Sequence, residues 1–219
     1  MPSPPQSERL IIDGPAGRLE AILETPTDVP IAGSALVCHP HPQQGGTMQN
    51  KVAHTLARAF VRCGYRALRF NFRGVGESEG SYDDARGELD DALAAYSYLQ
   101  QQWPNDSRWI SGFSFGAAIA INAAATLKPD GLVSIAPAVY RFANKLDIQP
   151  ECPWLIVHGD QDEVVPVEET LEWVNRMEPG PVLNVFPDTG HFFHGKLLEL
   201  RESVVTFVTD TTPGRGLPS

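Results

Sequence analysis

A pentapeptide, Gly112-Phe113-Ser114-Phe115-Gly116, constrains the fold of this chain more than any other stretch. An apolar run, Trp109-Ile110, precedes it, and an alanine-rich run, Ala117-Ala118-Ile119-Ala120-Ile121, follows it. That order predicts a strand, a five-residue turn and a helix. Glycine at 112 and 116 removes two Cβ atoms that would strike neighbouring backbone, so the turn can be very tight. Ser114 is then left exposed at the carboxyl end of the strand, in a strained conformation that its glycine neighbours make tolerable. The helix that begins there points its positive end at the same spot, where an anion would be stabilised.

Around this turn the chain alternates between strand and helix patterns. Leu10-Ile11-Ile12 and Leu19-Glu20-Ala21-Ile22-Leu23 flank Gly14-Pro15-Ala16-Gly17 and read as an antiparallel hairpin. Ser34 to Cys38 is a continuous apolar run of buried-strand length, followed by the loop His39-Pro40-His41-Pro42-Gln43-Gln44-Gly45-Gly46. Thr47 is placed to cap a helix to about residue 63, with Val52, Leu56, Ala59 and Phe60 on one face, and Gly64 stops it. Further strands are expected at Tyr65–Phe70, Ser107–Ser111, Leu132–Ala136, Trp154–His158 and Val182–Phe186. Helices are expected at Asp83–Gln101, from the turn to Leu127, at Glu168–Met177 and from Phe192 to about Val208. The alternation indicates a doubly wound, mostly parallel sheet of about eight strands with helices on both faces. One domain over 1–219 is expected, with about 1–8 and 211–219 as flexible tails rich in Pro, Ser, Thr and Gly.

Composition narrows the class. The net charge, 17 − 27 = −10, makes nucleic acid and anionic membrane surfaces poor partners. No apolar run reaches the length of a membrane span, and residues 1–7 lack the plan of a signal peptide. Cys38, Cys63 and Cys152 are scattered without metal-type spacing and read as free thiols, which with the previous point predicts a cytoplasmic protein.

A serine hydroxyl needs a base held by an acid before it is a useful nucleophile. Two downstream loops leave strand ends and carry such groups: His158-Gly159-Asp160-Gln161-Asp162-Glu163-Val164-Val165-Pro166, and Phe186-Pro187-Asp188-Thr189-Gly190-His191-Phe192-Phe193-His194-Gly195. The order Ser, acid, His is the one expected of a G-x-S-x-G hydrolase. His39 and His41 share one face of an extended segment, as two metal ligands would, but no Asp or Cys follows to complete a site. Gly74-Val75-Gly76 lacks the third glycine of a dinucleotide loop, because Glu79 stands there and would repel a pyrophosphate. Arg69, Arg73 and Arg141 are cations that could meet an anionic substrate group or pair within the fold.

With these motifs together, the chain resembles the small bacterial α/β-hydrolases. The serine turn, the G-D-x-D-x-x-V-P loop, the G-H loop, the N-F-R-G-V-G-x-S turn and the H-P-H-P-x-x-G-G segment carry the resemblance, from residue 39 to 195. It implies a catalytic triad of Ser114, Asp162 and His191, with Asp160 forming the turn and His194 as the rival base in the last helix. It also implies an oxyanion hole of two backbone N–H groups, one from Phe115 and one from the His39 loop. Pro40 and Pro42 have no N–H, which leaves His41 as the second donor, its ring incidental. Only thirteen residues, Tyr140 to Cys152, separate Val139 from Pro153, too few for a cap domain. The expectation is a lidless serine hydrolase acting on a small acyl compound, a carboxylic ester first and a thioester or peptide second, without a cofactor. A non-catalytic ligand-binding member of the fold is the competing class.

Overall fold

The structure, a computed structural model, describes residues 4–142 and 149–212. Its centre is one eight-stranded sheet: β1 (Gln6–Gly14), β2 (Gly17–Thr25), β3 (Gly33–Cys38), β4 (Tyr65–Phe70), β5 (Ser107–Phe113), β6 (Gly131–Ile135), β7 (Trp154–Gly159) and β8 (Val182–Phe186). The strands lie in the order β1-β2-β4-β3-β5-β6-β7-β8. The hairpin β1–β2 attaches antiparallel to β4, and every neighbour from β4 to β8 is parallel. Parallel strands place their carboxyl ends on one edge of the sheet. Strand order reverses at β3, which has β4 on one side and β5 on the other, and such reversals open a crevice for ligands.

Helices α1 (Lys51–Arg62) and α6 (Leu197–Thr211) cover one face. Val52, Leu56 and Phe60 pack there with Leu200, Val204 and Phe207 against Val37, Trp109 and Leu155. Helices α2 (Arg86–Gln102), α3 (Phe115–Leu127) and α5 (Val167–Val174) lie on the other, where Ala92, Tyr96, Ile119 and Trp173 meet Leu36, Ile110 and Ile156. Every residue of α3 from Phe115 to Ala124 is buried, as an apolar helix without a polar face requires. A four-residue helix, α4 (Val139–Phe142), follows β6.

Local departures from the sequence expectations have identifiable causes. β1 begins at Gln6, because Gln6 to Glu8 pair with Thr25 to Leu23 on β2; residues 6–8 are strand and not tail. α1 starts at Lys51, capped by Asn50, whose Oδ1 accepts from the Val52 and Ala53 amides. Thr47 instead begins the preceding turn, its carbonyl accepting from the Asn50 amide. α6 starts at Leu197, five residues later than Phe192, since Phe193 has φ +53° and Gly195 φ +75°. It extends to Thr211, so only residues 213–219 of the expected tail fall outside the described residues, as do 1–3 and the 143–148 part of the short connection after α4.

The arginines read as possible anion ligands turn out to be mostly structural. Arg73 makes a bidentate pair with Asp91 at 3.0 and 2.7 Å, and Asp91 also accepts the Arg73 amide at 2.9 Å. Arg69 pairs with Glu24 and donates to the Met48 carbonyl. Only Arg141 is exposed, donating to the Val164 carbonyl beside the acid loop. Glu79 accepts from the Arg18 amide and guanidinium, which ties the Gly74–Gly76 turn to the hairpin as a packing turn.

Candidate active site

Ser114 joins β5 to α3 with φ +56° and ψ −115°, a region that non-glycine residues enter only when surrounding structure compels it. Two glycines supply the compulsion. A Cβ on Gly112 would lie 2.1 Å from the Gly116 carbonyl oxygen, and a Cβ on Gly116 would lie 2.4 Å from the carbonyl oxygens of Cys38 and His39. Their absence lets α3 press its first turn against the exit of β3. The Ser114 amide donates to the Ile135 carbonyl of β6 at 2.8 Å, fixing the turn from the other side.

His191 and Asp162 reach this serine from the ends of β8 and β7. Ser114 Oγ and His191 Nε2 are 3.0 Å apart, and His191 Nδ1 lies 2.7 Å from Asp162 Oδ2. The imidazole stacks on Phe113 at a ring separation of 4.8 Å. The two loops are stitched together: the Gln161 amide donates to the Thr189 carbonyl, the Thr189 amide to Asp160 Oδ1, and the His191 amide to Glu163 Oε2. Asp160 therefore braces the histidine loop. His194 is exposed, in the turn before α6 and not within it.

Asp162 is buried, and burial alone would raise the pKa of its carboxyl group. Hydrogen bonds outweigh this and hold it well below the usual carboxylate range, from His158, from His191 and from the Val165 amide. Its Oδ1 accepts from the Val164 and Val165 amides at 2.9 and 2.7 Å. Its Oδ2 faces His191 Nδ1 and, at 3.2 Å, His158 Nε2. His158 was not singled out from the sequence. It opens the G-D-x-D loop four residues before the acid, which was the available signal.

Phe115 is the first residue of α3, so its N–H is one of the four that a helix leaves without an internal partner. His41 precedes a 3₁₀ turn at Pro42–Gln44; its carbonyl accepts from the Gln44 and Gly46 amides. Among the described residues no group accepts a hydrogen bond from the His41 amide. The His41 ring is not incidental, which corrects the sequence reading. Its Nδ1 accepts from the Gln43 amide at 3.2 Å, leaving Nε2–H for the Tyr82 hydroxyl at 3.2 Å. It also packs against Phe115 and Phe142 at ring separations of 5.0 and 5.2 Å. His39 is wholly buried and accepts from the Phe72 amide through Nε2, so Nδ1–H donates to the Pro40 carbonyl; burial pushes its pKa down to about 4. Both ring nitrogens of each histidine are thus taken up by protein groups.

Known proteins resemble this chain in sequence and fold. Residues 43–149 match the hydrolase family described as "Serine aminopeptidase, S33". An α/β serine hydrolase without a lid from Xanthomonas campestris is 40% identical, over 99% of this chain and 100% of that one, with a TM-score of 0.91. The chain belongs to the α/β-hydrolase family. An α/β serine hydrolase homologue from Coxiella burnetii is 45% identical over 91% of this chain and 96% of that one, with a TM-score of 0.86. An uncharacterized protein of Rickettsia prowazekii is 36% identical over 90% of this chain and 86% of its own length. No helix of this α/β hydrolase, among the described residues, is long and apolar enough to cross a membrane.

Proposed function

We propose that this α/β hydrolase cleaves a carboxylic ester, or a related small acyl compound, through Ser114, His191 and Asp162. The observation that carries the reading is the unbroken line of two hydrogen bonds, 3.0 Å from Ser114 Oγ to His191 Nε2 and 2.7 Å from His191 Nδ1 to Asp162 Oδ2. Ser114 Oγ attacks the acyl carbon as its proton passes to His191 Nε2. Asp162 accepts from Nδ1–H, which keeps Nε2 free as the base, and its carboxylate offsets the charge of the imidazolium. The Phe115 and His41 N–H groups meet the developing oxyanion. His191 then protonates the departing alkoxide, and a water that it deprotonates releases the acid.

The test is labelling of the intact protein by a fluorophosphonate, with the adduct mapped by mass spectrometry. Ser114 is expected to carry it, because Ser111 Oγ and Ser134 Oγ are buried against the Leu36 carbonyl and the Trp154 indole. An adduct elsewhere, or turnover without labelling, overturns the assignment. The same groups serve thioesters and peptides, and the matched family is described as a serine aminopeptidase. A panel of esters, thioesters and aminoacyl amides separates these leaving groups, and inertness towards all of them with no labelling would favour a ligand-binding member.

Thirteen residues between Val139 and Pro153 leave no room for a cap domain over Ser114. Short, soluble esters are therefore expected to be preferred, with a rate that shows no jump as substrate passes its solubility limit. A jump in rate at the onset of micelles, or a strong preference for long chains, would show a mobile cover over the site.

A further inference from the structure

His158 shares the carboxylate of Asp162 with His191 and has no place in the reaction as derived. It lies at the end of β7 and is fully buried. Its Nε2 stands 2.9 Å from the Val165 carbonyl oxygen and 3.2 Å from Asp162 Oδ2, two acceptors around one nitrogen. Among the described residues, its Nδ1 is buried with no hydrogen-bond partner. These facts fix the tautomer. Nε2 carries the proton, shared in a three-centre bond between the carbonyl and the carboxylate, and Nδ1 holds only a lone pair. An imidazolium would bury a second N–H for which the described residues offer no acceptor.

We propose that His158 is a positioning residue that sets the basicity of the triad, a reading that rests on the Ser114–His191–Asp162 assignment. The oxygen it touches, Asp162 Oδ2, is the one that accepts from His191 Nδ1–H at 2.7 Å. A donor from the far side withdraws part of that oxygen's negative charge. The carboxylate then supports the His191 imidazolium less strongly, and His191 gives up its proton more readily after each proton transfer. The other charged groups around the triad are Glu163, which accepts the His191 amide, Asp160, which accepts the Thr189 amide, and Arg141, on the Val164 carbonyl. None of them donates to Oδ2, so among the described residues His158 and His191 are the side chains that do.

The sign of the effect follows. His158→Leu removes the second donor, leaves more charge on Oδ2 and stabilises protonated His191. The acid limb of kcat/KM, which reports loss of the neutral base, should move to higher pH by about half a unit to one unit, the equivalent of one hydrogen bond. His158→Gln, whose amide N–H can occupy the place of Nε2–H, should return the limb towards wild type. A merely structural role would lower activity by the same factor at every pH and leave the limb where it is.

The experiment combines pH profiles of wild type, His158→Leu and His158→Gln with histidine ¹⁵N spectra of the wild-type protein. The spectra are expected to show His158 with protonated Nε2 and unprotonated Nδ1 from neutral pH down to the acid limb. A protonated Nδ1 on His158, or an unmoved limb in the folded leucine variant, overturns the proposal. Should the leucine variant not fold, His158→Phe keeps the ring shape and faces the same criterion, and the wild-type spectra decide independently of any variant. Fluorophosphonate labelling of Ser114 that persists while the limb stays still would sink this proposal and leave the triad reading intact; loss of Ser114 labelling in wild type would sink both.

Discussion

His191→Ala is expected to lower kcat for ester hydrolysis by on the order of 10³-fold or more, while thermal melting shows a folded protein. The size follows from the concerted use of the triad: without the imidazole, Ser114 keeps its proton and the leaving group departs unprotonated. Asp162→Asn should be milder, because the acid acts through the histidine, but it should still be a large loss, since an amide can hold the ring in the wrong tautomer. His194→Ala is the control. His194 is exposed, with its ring 6.0 Å from that of Phe192, so its removal should leave kcat within about twofold, the range of ordinary surface changes. An inactive His194→Ala beside an active His191→Ala would transfer the base to the other histidine and refute the proposed site.

The contrast between the two histidines shows how far a sequence carries such a site. The order of motifs and the strand exits were legible because each rests on local chemistry: glycines at 112 and 116, apolar runs of strand length, and a G-D-x-D turn. The placement of His194 was not. Phe192 and Phe193 extend the apolar pattern of the last helix, yet Phe193 is drawn into the core at 0% exposure by the sheet beneath it, with φ +53°. That conformation ends any helix there and is dictated by tertiary packing, which periodicity cannot report. β1 was shortened for the same reason. Gln6, Ser7 and Glu8 are exposed and carry no apolar signal; their strand state comes from the register with β2.

His158 and Tyr82 were missed on different grounds. A histidine at the end of a buried strand reads as packing until its distances to Asp162 and Val165 are known, since its function lies in which acceptors it faces. Tyr82 sits in a loop with no periodic context, 41 positions from the histidine it meets. Contacts of that kind are set by the crevice at the strand-order reversal, where the loops after β3 and β4 come together around β5.

The His41 loop is where the structure changes the expected experiment. If only the N–H mattered, His41→Ala would be nearly silent. The ring, however, caps the 3₁₀ turn through the Gln43 amide, meets the Tyr82 hydroxyl and packs on Phe115 and Phe142. His41→Ala should therefore cost about tenfold in kcat, the kinetic equivalent of one lost neutral hydrogen bond that positions the loop. His41→Pro loses the ring and the amide together. The native φ of −52° and ψ of 121° at this position suit a proline, and suit one that precedes Pro42. The ratio of the alanine to the proline variant then isolates the amide, and it should reach about 10²–10³ in kcat, the usual loss for one oxyanion donor. Fluorophosphonate labelling and melting of both variants show that fold and nucleophile survive. Equal activity of the two variants would mean that the second oxyanion donor is not the His41 N–H, and the loop's contribution would then be the ring's alone.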